Sequence, residues 1–249
     1  MSDWIYGFFM AWGMFLAIPC PAKLWRESAR RSMTACLPLV GAVVGGVWVL
    51  CAWLGGFLPR PLEALLCAAA PWLATGFLHL DGYMDVCDAV LSRRDLPTRQ
   101  RILKDSHCGA FAVICLVLLV LCQWSLFLSA ESVRLWPLAL LPVTSRACAA
   151  LAVLTLRPMA TSQYSAMPRG GAPVAFAAAV LAASCAVPAL LWGSFASLTA
   201  AAVYGLAVWY GFRQLGGNRI AVAKAAVSES GTLKLIHQLT LAQSDELRR

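Results

Sequence analysis

Three carboxylates, Asp81, Asp85 and Asp88, stand within His79-Leu80-Asp81-Gly82-Tyr83-Met84-Asp85-Val86-Cys87-Asp88, at the edge of an apolar run. The chain has only 12 Asp and Glu. Five of them, Asp81, Asp85, Asp88, Asp95 and Asp105, fall in one short stretch. Carboxylates beside a bilayer repel one another and are costly to desolvate, so they call for a cation. On a helix the three aspartates occupy offsets i, i+4 and i+7, an arc of about 60° and a stripe roughly 10 Å long. An all-oxygen ligand set suits Mg2+ or Mn2+, which keep waters and engage substrate phosphates. Zinc prefers Cys and His, yet His79 lies on nearly the opposite side of that helix and Cys87 is off the stripe. The bland alternative is a solvated acidic face paired with Arg93, Arg94, Arg99 and Arg101. Against it stand the abutting apolar span and Gly82, which leaves room for close approach.

Two further pieces carry charge where it is costly or useful. Leu103-Lys104-Asp105-Ser106-His107-Cys108-Gly109-Ala110-Phe111 leads from polar sequence into an apolar run. Asp105 or Ser106 there could cap the next helix. A helix N-terminus beside Lys104 is also a phosphate site, because free N–H groups and the dipole favour an anion. Asp105 would ligate metal or act as base. Arg146, in Pro142-Val143-Thr144-Ser145-Arg146, sits inside an apolar run. A charge at that depth points to function, and a guanidinium suits bidentate phosphate contact. Its structural alternative is a pair with an acid of the loop.

Composition sets the frame that must hold these groups. Of 249 residues, 60% are hydrophobic and 13% charged, and the mean hydropathy is +0.71. About 25% charged residues is usual for a soluble domain. The reading is all-α: a polytopic integral membrane protein, a single domain over 1–249. Apolar runs at 4–20, 35–57, 62–80, 109–129, 135–156, 172–193 and 198–213 give about seven transmembrane helices, with a polar acidic cytoplasmic segment at 81–108. The loops following the odd-numbered runs hold all of the 20 Lys and Arg except Arg60, Arg134 and Arg146. That asymmetry places the acidic loop in the cytoplasm and the N-terminus outside, and an inner-membrane, multi-pass location follows. Met1-Ser2-Asp3 lacks the basic start of a cleavable signal peptide. The net charge of +8 reads as this topology, and not as nucleic-acid binding, since the basic residues are not interleaved with aromatics. The 10 cysteines form no CxxC and read as small buried hydrophobes. Gly41-x-x-x-Gly45 has the spacing of close helix packing in lipid. A homo-oligomer is compatible with this profile.

Gly76-Phe77-Leu78-His79-Leu80-Asp81-Gly82-Tyr83-Met84-Asp85-Val86-Cys87-Asp88, followed by Leu103-Lys104-Asp105-Ser106-x-x-Gly109, resembles the adenosylcobinamide-GDP ribazoletransferase (cobalamin synthase) family. Leu37-Pro38-Leu39-Val40-Gly41 is similar to that family's early P-L-V-G segment. The resemblance implies that a hydroxyl of α-ribazole, or of its 5′-phosphate, attacks the diphosphate of adenosylcobinamide-GDP and releases GMP, with Mg2+ as cofactor. It assigns metal to Asp81, Asp85, Asp88 and Asp105. Asp105, Lys104 and His79 become catalytic candidates, and Lys104, Arg146 and Ser106 bind substrate phosphate. There are departures: the family's Thr-Arg reads Ala17-Ile18, and the Asp of its C-terminal glycine-rich motif falls on Ala221. The competing readings are a CDP-alcohol phosphotransferase-like enzyme, an ion-coupled transporter and a catalytically degenerate member. The first needs an Ala-Arg where Asp85-Val86 stands, and the second favours carboxylates at mid-span.

Overall fold

The computed structural model describes residues 2–105, 107–156 and 170–215, without the side chain of Phe212. Among them the regular structure is helical: α1 (Asp3–Phe15), a 3-10 turn (Glu27–Ala29), α2 (Arg30–Ala35), α3 (Leu37–Gly55), α4 (Arg60–Ala74), α5 (Leu78–Leu91), α6 (Leu96–Ile102), α7 (Ala110–Ser129), α8 (Leu135–Thr155), α9 (Ala172–Trp192) and α10 (Ala196–Gln214). Four of these, α3, α7, α8 and α9, are long and apolar enough to cross a bilayer. A fifth crossing exists only if α4 and α5, bent by 90° at their junction, count as one. The expected count of seven is not confirmed. The 13 residues of α1 reach about 20 Å, short of the roughly 30 Å hydrocarbon core. The run at 62–80 breaks after Ala74, and the apolar part of α10 spans only Ala196–Gly211.

Helices α3 and α8 run antiparallel. Gly41 faces Pro142 and Gly45 faces Ala139, so α3 and α8 cross with their backbones almost touching. A Cβ on Gly41 would lie 2.5 Å from the Pro142 carbonyl oxygen, and one on Gly45 would strike the Ala139 carbonyl. The Gly-x-x-x-Gly spacing is thus the seam that sets the depth of α8, and with it the depth of Arg146. Gly41→Leu or Gly45→Leu is expected to cost at least about 1–3 kcal/mol by overpacking. Thermal unfolding in detergent measures it, and an unchanged midpoint in both variants would contradict the seam.

Pro71 lies inside α4. It has no N–H to give the Cys67 carbonyl four residues earlier, and the Trp48 indole of α3 supplies the missing donor at 2.7 Å. Between α4 and α7, Gln123 donates to the Ala68 carbonyl (3.1 Å) and Arg60 to the Phe127 carbonyl (2.7 Å). Trp136 and Trp192 stack at 5.0 Å where α8 starts and α9 ends. One end of the bundle therefore gathers the starts of α3, α7 and α9 and the ends of α4, α8 and α10. The basic stretch 23–31, Arg93 to Lys104 and Arg213 lie at this same end, as the charge asymmetry requires.

Candidate active site

The acidic stripe is a helix laid across that end. At the junction Gly76 (φ 57) and Phe77 (φ 61) both adopt left-handed backbone, which turns the chain through its right angle. Gly76 takes that conformation freely, whereas Phe77 takes it at a cost of about 1–2 kcal/mol. The turn is braced. Phe77 N–H donates to the Trp72 carbonyl at 2.9 Å, and Ala17 N–H donates to the Ala74 carbonyl at 2.9 Å. From here α5 carries Asp81, Asp85 and Asp88 at the expected offsets.

The three part company at their far ends. Asp81 is exposed, Asp85 is half-buried, and Asp88 is only 8% exposed. Asp88 closes the start of α7 from outside that helix. Its Oδ2 accepts the Gly109 N–H at 2.6 Å and its Oδ1 accepts the Ala112 N–H at 2.9 Å. Gly109, the residue before α7, has no side chain to do this itself. A Cβ there would sit 2.6 Å from Asp88 Oδ1, so the glycine and the carboxylate require each other. Two expectations are corrected. The α7 N-terminus is not capped by Asp105, and two of its N–H groups are taken by a resident anion instead of lying open to phosphate. Among the described residues no three His, Cys, Asp or Glu side chains form a group able to hold a metal. The expected set of Asp81, Asp85, Asp88 and Asp105 is divided, because Asp88 turns into the α5–α7 contact and Asp105 lies beyond α6.

Arg146 is 6% exposed on α8, and its Nη2 lies 3.0 Å from His79 Nε2 on the first turn of α5. A guanidinium only donates, so His79 Nε2 accepts and the imidazole carries its proton on Nδ1. The His79 side of α5, opposite Asp81 as the helical spacing predicts, thus meets α8. Arg146 Nε is buried with no hydrogen-bond partner. The contact described for this arginine is to the imidazole of His79.

The α5–α6 arm is also tied to the last described helix. Arg99 donates to the Gln214 carbonyl (3.1 Å) and to its Oε1 (2.8 Å), and Gln100 donates to the Leu215 carbonyl (3.2 Å). These carbonyls end α10, where a cation is favoured by the helix dipole. The arm is held by α7, α8 and α10 together.

Lys104 and Asp105 are exposed, and Ser106 lies outside the described residues. Asp105 Oδ1 accepts the backbone N–H of His107 at 3.0 Å and meets its Nδ1 at 2.6 Å. His107 was not among the residues expected from sequence, although an acid two positions before a histidine is the signal of such a turn. Hydrogen bonding to His107 holds the Asp105 carboxyl below its ordinary 3.8, and the same bond raises His107 above its ordinary 6.5. Their attraction is therefore present from the lowered Asp105 value up to the raised His107 value, and is lost on either side. His107 is expected to titrate above 6.5 by NMR, and Asp105→Asn to return it toward 6.5. A His107 titration indifferent to that substitution would remove the pair.

Residues 7–219 match the family model described as cobalamin-5-phosphate synthase. The chain belongs to this family. Among its relatives, the adenosylcobinamide-GDP ribazoletransferase of Clostridium botulinum (strain Eklund 17B / Type B) is 38% identical over 66% of this chain and 68% of its own length. The protein of that name from Geobacillus kaustophilus is 33% identical over 79% of this chain and 80% of its own. The one from Clostridium perfringens (strain 13 / Type A) is 41% identical over 55% and 57%. No solved structure matches the chain. In this cobalamin-5-phosphate synthase family member, the Asp88–Gly109 contact joins the two motifs that carried the resemblance. Ala221, in the C-terminal motif, lies outside the described residues.

Proposed function

We propose that this chain transfers the cobinamide phosphoryl group of adenosylcobinamide-GDP to α-ribazole or its 5′-phosphate, releasing GMP. The observation that carries the reading is the α5–α6 arm. It brings the Asp81/Asp85 stripe, the Arg146–His79 contact, Lys104 and the Asp105–His107 pair to one end of a membrane bundle. The named relatives supply the substrates.

The acceptor hydroxyl oxygen bonds to the phosphorus on the cobinamide side, the bond from that phosphorus to the GMP oxygen breaks, and the hydroxyl proton passes to a base. Such transfer is mostly positioning and charge neutralisation. We assign the base to the Asp105–His107 pair, in which Asp105 orients the imidazole and leaves its Nε2 to take the proton. Lys104 and Arg146 hold phosphate oxygens, Lys104 as a point charge and Arg146 through the buried N–H groups of its fork. His79 accepts from Arg146 and so positions it. Asp88 keeps α5 seated on α7 and does not act at the phosphorus.

Mg2+ fits the donors as follows. This ion is usually held by one or two carboxylates together with substrate phosphates and water, not by an all-protein cage. Asp81 and Asp85, one turn apart on the same face of α5, provide such hard oxygens. When bound, the ion supplies neutralisation of diphosphate charge and polarisation of a phosphoryl oxygen.

Purified protein given the nucleotide-activated corrinoid and either acceptor is expected to release GMP only when Mg2+ is present. Absence of GMP with both acceptors would reject the reading. We place the arm on the cytoplasmic side of the inner membrane, following the basic residues at that end. A reporter fused at residue 95 tests this, and an external signal would reverse the orientation.

A further inference from the structure

A cavity of about 570 Å3 lies away from the carboxylates, between α1 and the segment that follows it, residues 16–25. Phe9, Met10, Met14, Ile18 and Leu24 are among its apolar lining, and Lys23 brings the charge. The Trp12 indole donates to the Ile18 carbonyl at 3.0 Å and holds the segment in place. The wall of this cavity is also the brace of the α4–α5 turn: Ala17, which lines it, bonds the Ala74 carbonyl and packs against Gly76. His79 and Asp81 follow within five residues of that contact, so the cavity sits at the bundle end that carries the arm.

We propose that this cavity is the acceptor site, taking the fused aromatic base of the ribazole nucleoside, with Lys23 facing the ribose phosphate when the acceptor carries one. The inference rests on the transferase reading above. The volume falls in the 300–1,000 Å3 range that encloses ligands of drug size. That is room for one nucleoside and not for a corrin ring bearing its nucleotide. A mostly apolar lining suits a hydrocarbon-rich bicyclic base and rejects a diphosphate, whose oxygens would lose hydration without replacement. The two substrates must meet at the phosphorus from different sides, and a site beside the α5 turn but off the carboxylate stripe meets that requirement.

Gly13 offers a clean test. It lines the cavity from within α1, and a Cβ there meets only Cys20 Cβ, at 4.0 Å. A side chain at this position grows into the cavity without displacing backbone, and leaving glycine favours the helix. Gly13→Leu is expected to raise the acceptor KM, and the acceptor Kd measured by calorimetry without donor, by roughly tenfold or more, while the donor KM is retained. Lys23→Met is expected to penalise α-ribazole 5′-phosphate by a larger factor than α-ribazole. If Gly13→Leu leaves acceptor KM and Kd unchanged, or changes donor KM alone, or only releases a co-purified phospholipid, the cavity is not the acceptor site and the transferase reading stands. If the wild-type protein neither binds acceptor nor releases GMP, that reading itself falls.

Discussion

Asp81→Ala and Asp85→Ala are each expected to slow Mg2+-dependent GMP release by at least about 100-fold, the scale seen when one preorganised charge-stabilising group is removed. Asp81 is exposed in the first turn of α5, so its truncation removes charge and little packing. Asp85 is half-buried, and Asp85→Asn keeps its shape while removing its charge. Raising the Mg2+ concentration should recover part of the lost rate in either single variant, since one carboxylate remains. Turnover within a few-fold of wild type in all three variants would take the metal off α5.

The second large effect is on stability. Asp88→Ala leaves the Gly109 and Ala112 N–H groups of α7 without their charged acceptor, in a site that is 8% exposed at Asp88. Hydrogen bonds to charged groups contribute about 1.5–3 kcal/mol and a lost cap about 0.5–2, so a total of about 2–4 kcal/mol is expected. Gly109→Ala should lose part of the same contact by driving its Cβ into the carboxylate. The pair then gives a sharper result than either single variant. Once Asp88 is gone, the alanine at 109 has nothing to strike, so the double variant should be scarcely less stable than Asp88→Ala alone. Thermal unfolding in detergent reads all three, and additive losses would mean the two residues act apart.

Much of this architecture is legible in the chain because lipid imposes simple rules. The apolar runs of α3, α7, α8 and α9 are long enough to announce themselves, Gly41 and Gly45 mark their own seam, and Arg146 stands out as a charge in hydrocarbon. The stripe of Asp81, Asp85 and Asp88 follows from 3.6 residues per turn. The break after Ala74 does not follow. Apolar sequence runs unbroken through it, and one of its two left-handed residues is Phe77, a type that seldom takes that conformation. The partners of the polar groups are also hidden. Asp88 reaches Gly109 and Ala112 across 21 and 24 residues, and Arg146 reaches His79 across 67. Such pairings are set by how helices cross, which local periodicity does not encode. As a result the carboxylates read as one set of equals, whereas the fold gives one of them to a neighbouring helix.

The clamp of Arg99 and Gln100 on the Gln214 and Leu215 carbonyls joins positions 115 apart along the chain. Those acceptors are translated long after the arm itself. During biogenesis the early helices enter the bilayer with the arm still lacking one of its supports, and the ribosome must deliver α10 before it can settle. A nascent chain halted short of that point holds every proposed phosphate and metal group yet lacks the clamp that seats their arm.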